Sequence, residues 1–310
     1  VAAEAGADAV KFQTFKAESL VTPSAAKADY QMRTTGAEES QLDMIRPLEL
    51  SPGMHRSLID RCREMNILFL SSPFDEGSAD LLEDLGVAAF KIPSGEITNL
   101  PLLTHIARKG KPMIVSTGMA DLSEVETAVR AIEAEDNHDV VLLQCVSNYP
   151  AEPADANLRA MNTMAMAFQL PVGYSDHTVG TEVTLAAVAM GACVIEKHFT
   201  LDRNLSGPDH LASSEPEELT ALVQRIRVVE LALGHGRKEP AASEANTAAM
   251  ARKSLVAARD IEVGAVLTGE LIAIKRPGTG LPPAMMTYLI GRTLRRHVFA
   301  GNLFRLDMFN

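Results

Sequence analysis

Short apolar runs alternate along the chain with segments that have helical hydrophobic periodicity. Each run is followed by a bend rich in Ser, Thr, Gly or Pro, which is typical of a buried strand in a parallel sheet. The predicted strands are Ala9–Phe15, Ile67–Ser72, Ala88–Pro93, Pro112–Ser116, Val140–Val146, Val172–Ser175 and Cys193–Phe199. The predicted helices are Pro52–Met65, Gly77–Leu85, Leu100–Arg108, Leu122–Glu135, Thr181–Met190 and Glu217–Leu233. This alternation predicts an α/β fold with a mostly parallel sheet.

Polar residues follow nearly every predicted strand. They are Gln13, Ser72, Ser94 with Glu96, Ser116 with Thr117, Ser147 with Tyr149, Asp176 with His177, and His198. In a closed (β/α)8 barrel the carboxyl ends of the strands converge on one mouth, where the active sites of such barrels lie. In a doubly wound open sheet these ends would lie along a line. Periodicity fits both folds, and the polar residues favour the TIM barrel. Because seven strands are counted, we expect the first barrel strand to lie upstream of Val1.

The pattern changes after residue 239. Residues 240–251 are rich in Ala and Glu, which is typical of a linker. Residues 252–310 then contain short β-type segments separated by turns, namely Ser254–Ala258, Ile272–Arg276 and Gly291–Thr293. We therefore predict a catalytic barrel over residues 1–239, a linker over 240–251 and a small β-rich domain over 252–310. A domain of about 60 residues has little core of its own, so we expect it to dock against the barrel or a partner subunit.

Composition limits the class of protein. The 29 basic and 40 acidic side chains give a net charge of −11, which argues against a nucleic-acid-binding protein and against a protein of anionic membrane surfaces. An anionic substrate would therefore need a local basic pocket. The 3 cysteines form no CxxC pair, and this favours a reducing, cytoplasmic environment. The longest apolar stretch, Val183 to Ile195, is shorter than a membrane span requires.

Two histidines follow consecutive predicted strands and suggest a metal site. His177 ends one strand and His198 ends the next, so neighbouring strands in a barrel would bring the two rings close together. Two imidazoles with open positions for oxygen ligands suit a Lewis-acid divalent metal. A single histidine is more often a satisfied polar residue, and only the pairing favours the metal. Asp176 and Glu196 are placed to support these histidines.

Two lysines occur where a strand would normally carry apolar residues. Lys11 and Lys91 lie within predicted strands, and lysine is almost never buried unless it is paired. Together with hydroxyl groups at several strand ends they could form a phosphate site. The alternative is an internal ion pair, for example between Lys91 and Glu96.

Nine short motifs occur in the order found in one known family. They are Ala9-Val-Lys-Phe-Gln-Thr, Ser72-Pro-Phe-Asp, Lys91-Ile-Pro-Ser-Gly-Glu, Ser116-Thr-Gly-Met, Ser147-Asn-Tyr-Pro, Gly173-Tyr-Ser-Asp-His-Thr, Glu196-Lys-His-Phe-Thr, Gly207-Pro-Asp-His and Lys275-Arg-Pro-Gly-Thr-Gly. Over essentially the whole chain the sequence resembles the sialic acid synthases, which include the N-acetylneuraminate, legionaminate and pseudaminate synthases. It departs from the family in lacking the opening strand and in carrying Gln144 where many relatives have histidine.

The resemblance implies a fold and a reaction. The fold is a (β/α) barrel followed by an antifreeze-like SAF domain, in a domain-swapped homodimer where each small domain covers the partner's barrel mouth. The reaction is a phosphoenolpyruvate-dependent transferase reaction. C3 of phosphoenolpyruvate attacks the open-chain aldehyde of an N-acetylated amino sugar, water adds at C2, and phosphate leaves.

The resemblance also implies roles for individual residues. His177 and His198 resemble the metal ligands, with Mn²⁺ as the family's metal and Mg²⁺ or Co²⁺ as substitutes. The residues that would hold phosphoenolpyruvate are Lys11, Lys91, Ser94, Ser116, Ser147 and Ser175. Those that would contact the sugar are Gln13, Tyr149, Asp209 and, from the small domain, Arg276. The residues assigned to the chemistry itself are Glu96, Asp209 and Lys91.

Two other functions fit parts of the sequence. A metal-dependent lyase or hydrolase on a similar barrel would need no second substrate, but it would leave the basic site without an evident use. An inactive sugar- or phosphate-binding relative is supported only by the missing strand. The acceptor sugar stays open between N-acetylmannosamine and a 2,4-diacetamido-6-deoxy hexose.

Overall fold

The computed structural model describes residues 1–36 and 38–310, which divide into two compact units, Val1–Gly234 and His235–Asn310. The strands of the first unit are β1 (Ala9–Thr14), β2 (Leu68–Pro73), β3 (Phe90–Ile92), β4 (Met113–Ser116), β5 (Val140–Cys145), β6 (Val172–Asp176) and β7 (Ile195–Lys197). Its helices are α1 (Ala17–Leu20), α2 (Asp29–Thr35), α3 (Gln41–Ile45), α4 (Pro52–Glu64), α5 (Glu76–Asp84), α6 (Leu100–Ala107), α7 (Leu122–Glu133), α8 (Arg159–Phe168), α9 (Glu182–Ala189) and α10 (Pro216–Leu233). All seven predicted strands are confirmed.

Every strand pair in the first unit is parallel. β1 pairs with β2, and β3 to β7 form a five-stranded sheet in sequence order. Lys91 aligns with Ile114, and Ser175 aligns with Glu196. Parallel strands with helical crossovers are the architecture of the predicted (β/α) barrel. Because the strands run in one direction, their carboxyl ends lie at one edge, where the candidate residues collect.

The helices cover the sheet with apolar faces. In α7, Val125, Ala128, Val129 and Ile132 are buried, and this spacing forms one stripe of a helix. The Asp121 side chain caps the first turn by accepting from the backbone N–H groups of Ser123 and Glu124. The strand side chains beneath are apolar and fully buried, as at Phe90, Ile92, Met113 and Leu142.

The segment between β1 and α4 differs from a simple strand–helix connection. It contains α1, α2 and α3, which were not predicted, and it has a small separate core formed by Phe15, Ala17, Leu42, Met44 and Ile45. These helices are short, 4 to 7 residues, so they show too few turns for a periodic pattern. Helix α8 was also missed.

The second unit is small and rich in turns. It contains α11 (Ala245–Ala251), β8 (Ser254–Ala257), β9 (Ile272–Lys275) and α12 (Met286–Leu289). β8 and β9 pair antiparallel over a core that includes Leu255, Leu267, Leu289 and Phe304. The prediction of a strand at Gly291–Thr293 is wrong, because Thr293 makes only an isolated bridge to Val266. The predicted linker contains helix α11. Among the described residues, no helix is long and apolar enough to span a bilayer.

Candidate active site

A charge cluster around the buried Lys91 lies at the carboxyl ends of the barrel strands. The Glu196 carboxylate lies 3.1 Å from Lys11 Nζ and 3.5 Å from Lys91 Nζ, and it accepts a 2.7 Å hydrogen bond from Ser175 Oγ. Lys91 Nζ also donates to Ser116 Oγ at 2.7 Å. Strands β1, β3, β4, β6 and β7 thus each contribute one group. Lys11, Lys91 and Glu196 line a cavity of about 660 Å³ that is also lined by residues of β2, β4, β5 and α10.

Burial and neighbouring charges set the protonation of this cluster. Burial lowers the pKa of Lys91 to about 8, although the Glu196 charge opposes the shift. Burial alone would raise the pKa of Glu196, but the charges of Lys11 and Lys91 hold it well below its ordinary value. The cluster therefore combines an ionised Glu196 with two lysine side chains, so its basic groups outnumber its acidic one and suit an anionic ligand.

Two further hydroxyl groups meet at Gly118, just after β4. The Gly118 backbone N–H donates to Ser94 Oγ at 3.0 Å. A Cβ added to Gly118 would overlap with Ser147 Oγ and would lie 2.8 Å from Ser94 Oγ. Ser147 Oγ is buried and has no hydrogen-bond partner among the described residues. The serine pair and the glycine N–H thus form a small polar cradle, which we call the Gly118 cradle. It can donate to a phosphate or carboxylate oxygen.

The two candidate metal-binding histidines lie together beside Tyr149. The His177 and His198 ring centroids are 5.2 Å apart, and the Tyr149 ring lies 4.2 Å from His177 and 5.5 Å from His198. Tyr30, from α2, extends this row, since its ring centroid is 5.0 Å from that of Tyr149. Asp209 completes the group, with Oδ2 4.0 Å from His198 Nδ1. The row forms an aromatic wall with two imidazoles at one end.

The histidine pair fits a divalent metal in three respects. His177 Nδ1–H donates to the Val146 carbonyl oxygen at 2.7 Å, which leaves its Nε2 lone pair free, as in many metal-binding histidines. Burial, reinforced by the charge of Lys11, lowers the pKa of His198 to about 3, so this ring is neutral. Asp209 Oδ1 is buried without a hydrogen-bond partner in the described part of the chain. Across residues 1–36 and 38–310, however, no group of three or more His, Cys, Asp and Glu side chains is arranged to hold a metal ion. The fit therefore rests on the histidine pair.

Three predicted residues form no hydrogen bond or ion pair with these groups within the described part of the chain. The Glu96 carboxylate accepts from Asn99 Nδ2 at 2.7 Å, in the turn after β3. Gln13 is exposed at the end of β1, where it borders the cavity. Arg276 belongs to the second unit, in which its Nε donates to the Ala251 carbonyl oxygen at 3.0 Å.

Three predicted partnerships differ from the structure. The internal ion pair suggested for Lys91 is present, but its partner is Glu196 rather than Glu96, because Glu196 extends from β7 toward the lysines. For the same reason Glu196 binds Lys11, Lys91 and Ser175 and does not support the histidines. Asp176 does not support the histidines, since its carboxylate accepts from Lys197 Nζ at 2.9 Å and from Thr178 N at 2.9 Å. Side chains alternate along a strand, so Asp176 and Lys197 face a different side from Ser175 and Glu196.

Tyr30 and Gly118 are the functional candidates that sequence reasoning missed. Gly118 lies within the Ser116-Thr-Gly-Met motif, two residues after the end of β4, which is a usable signal for close backbone approach. Tyr30 lies in a segment without strand register, and no pattern in the sequence places it at the mouth.

Comparison with known proteins identifies the family. The NeuB family matches residues 1–238, and the SAF domain matches residues 252–310. An N,N'-diacetyllegionaminic acid synthase of Legionella pneumophila is 49% identical over 97% of this chain and 85% of its own length. A protein of the same name from Campylobacter jejuni is 47% identical over 98% of this chain and 92% of its own length. The crystal structure of an N-acetylneuraminic acid synthetase from Leptospira borgpetersenii superposes with a TM-score of 0.69 at 39% identity, covering 79% of this chain and 81% of that one. The chain belongs to the NeuB family of acid synthases and carries a SAF domain.

Proposed function

We propose that this protein condenses phosphoenolpyruvate with an N-acetylated amino-sugar aldehyde and water to give a nonulosonic acid and inorganic phosphate. The observation that carries the proposal is the two-part site. A lysine pair, in which Lys91 is buried and Lys11 is partly buried, lies with several hydroxyl groups next to an aromatic wall that bears two histidines and a carboxylate oxygen without a partner among the described residues. The first part suits a small anion, and the second suits a polar molecule with apolar faces. Relatives in this family are named as acid synthases.

Phosphoenolpyruvate occupies the basic part of the site in this proposal. Its phosphate and carboxylate are held by Lys11, Lys91, Ser94, Ser116, Ser147 and Ser175. Charge-assisted hydrogen bonds of this kind are about twice as strong as neutral ones. With C2 and C3 fixed in this way, the enol carbon C3 faces the aromatic wall.

The acceptor sugar occupies the space beside the wall. Tyr149 packs against the sugar, Gln13 and Asp209 accept from its hydroxyl groups, and Arg276 of a partner subunit's SAF domain recognises the N-acetyl group. That last role requires the domain-swapped homodimer. C3 then bonds to the aldehyde carbon, water adds to C2, and the tetrahedral C2 loses inorganic phosphate to form a keto group.

Proton transfer and charge stabilisation are assigned to three groups. Glu96 accepts the proton of the water that attacks C2, and Asp209 exchanges a proton with the sugar. Lys91 stabilises the negative charge of the leaving phosphate. His177 and His198 would hold a divalent ion, Mn²⁺ in this proposal with Mg²⁺ or Co²⁺ as substitutes. The chemistry that such an ion supplies is Lewis-acid polarisation of the aldehyde oxygen. The enzyme is a cytoplasmic transferase on this account.

The test is phosphate release from phosphoenolpyruvate with Mn²⁺, measured with N-acetylmannosamine, with a 2,4-diacetamido-6-deoxy hexose and without sugar. We expect release only with a sugar, and loss of release with a chelator or in His198→Ala. His138→Ala is the matched control, because His138 is exposed and its one ion pair among the described residues is with exposed Asp136. Release without any sugar would refute the condensation and favour a hydrolase.

A further inference from the structure

The segment between β1 and α4 brings one aromatic side chain into the sugar part of the site. Tyr30 lies on α2, and its ring packs on Tyr149 with the centroids 5.0 Å apart. Tyr149 in turn contacts both candidate metal-binding histidines. Tyr30 therefore forms the outer end of the aromatic wall, which continues through Tyr149 to the two histidines.

The position of Tyr30 is fixed by a clamp around its helix. Lys27 lies just before α2, and its buried ammonium group binds three oxygens that lie at or beyond the end of the helix. Lys27 Nζ donates to Thr35 Oγ1 at 2.9 Å, to the Gly36 carbonyl oxygen at 3.0 Å and to Glu39 Oε1 at 2.9 Å. Because one buried cation ties both ends of α2 together, the helix holds Tyr30 as a defined wall residue.

A second observation points to a ligand at the same place. Asp209 Oδ1 is buried and has no hydrogen-bond partner among the described residues. Burial together with the Asp209 charge raises the pKa of Tyr30 to about 12, which shows that this phenol stays neutral near the carboxylate. A buried unsatisfied acceptor is costly and calls for a donor. An aromatic face beside such an acceptor suits a sugar substituent that offers both a methyl group and an N–H donor, as an acetamido group does.

We infer that Tyr30 is a specificity-determining residue that selects an acceptor whose outer end carries methyl groups in place of hydroxyl groups. The inference rests on the proposed function. An aromatic face gains from burying a methyl group, whereas a hydroxyl group placed there loses its water without gaining a partner. A 2,4-diacetamido-6-deoxy hexose has a 6-methyl and a 4-acetamido methyl, where N-acetylmannosamine has hydroxyl groups. The wall therefore favours the diacetamido sugar.

The test compares kcat/KM for these two acceptors in the full chain and in variants at Tyr30. We expect the parent to prefer the diacetamido sugar, and Tyr30→Ala to reduce that preference by about 10-fold or more, as expected for the loss of contacts to one methyl group. Tyr30→Phe keeps the ring and should keep the preference. Tyr30→Gln fills the space with a polar group and should reduce it as Ala does, which covers the case where the alanine variant fails to fold. Met32→Ala, an exposed change on the same helix, is the control and should leave the preference unchanged.

The outcomes separate the inference from the proposed function. If Tyr30→Gln or a folded Tyr30→Ala keeps the preference of the parent, the specificity role is overturned and the condensation stands. This holds even if kcat/KM falls equally for both acceptors. If the parent enzyme prefers N-acetylmannosamine, the specificity role of Tyr30 is likewise overturned and the condensation stands. If the parent releases no phosphate with either sugar, the condensation itself is refuted and the inference falls with it.

Discussion

Replacing Gly118 by alanine tests whether the Gly118 cradle binds phosphoenolpyruvate. The added Cβ would overlap with Ser147 Oγ and lie 2.8 Å from Ser94 Oγ and 3.1 Å from Ser94 Cβ. Both serine side chains are short, so they must rotate away or the backbone after β4 must shift. Overpacking of this kind costs about 1–3 kcal/mol of folding free energy, which lowers the thermal midpoint by about 2–4 °C per kcal/mol.

The free-energy loss in substrate binding should be of similar size. A hydrogen bond to a charged group contributes about 1.5–3 kcal/mol, so losing one of them raises KM for phosphoenolpyruvate by about 10- to 150-fold. The assay is phosphate release at a saturating acceptor concentration, with thermal unfolding followed in parallel. Gly53→Ala is the matched control, because an added Cβ there meets only Ser51 Oγ at an ordinary 3.8 Å. A folded Gly118→Ala enzyme whose KM changes by less than about twofold, within ordinary error for independent sites, would refute the assignment of the cradle to phosphoenolpyruvate.

Two further predictions concern the buried charges. Burial lowers the pKa of Lys91 to about 8, so the neutral form of Lys91 dominates above this pH. There kcat/KM for phosphoenolpyruvate should fall about tenfold per pH unit. A pH profile that stays flat to pH 10 would show that the Lys91 charge is not needed for binding. Lys197→Met leaves the fully buried Asp176 carboxylate without its cation, so the free energy of unfolding should drop by about 3–5 kcal/mol. In denaturant unfolding, Arg61→Met is the control, since Arg61 forms only an exposed pair and should change stability by less than about 1 kcal/mol. Equal effects of the two variants would contradict the structural role of the buried pair.

The strands and the residues at their ends could be predicted from the sequence because a buried parallel strand has a clear apolar run and a defined end. Ser116 was found as a polar residue at a strand end, Lys11 and Lys91 were found as lysines within apolar strands, and Ser175 was implied by the family resemblance. The structure places all four in one cluster with Glu196. Glu196, the partner of the two lysines, could not be predicted. The sequence of the predicted strand Cys193–Phe199 does not show which of its side chains points toward the lysines.

The parts that were missed lack a periodic signal. Helices α1 to α3 are held by a small separate core and by the Lys27 clamp, both of which depend on contacts between short segments. Tyr30 reaches the site through this tertiary packing. In the second unit, Gly291–Thr293 has the composition of a strand, but Thr293 finds only one bridging partner, Val266, so tertiary context overrides the local preference.

The most direct test of the condensation follows the bridging oxygen of phosphoenolpyruvate. If water adds at C2 and phosphate leaves from the tetrahedral carbon, the C2–O bond breaks, so ¹⁸O placed in the bridging position must appear in inorganic phosphate, and only when an acceptor sugar is present. We predict this result by mass spectrometry, with one unlabelled nonulosonic acid formed per phosphate released. Label retained on pyruvate, or labelled phosphate formed without a sugar, would contradict the account.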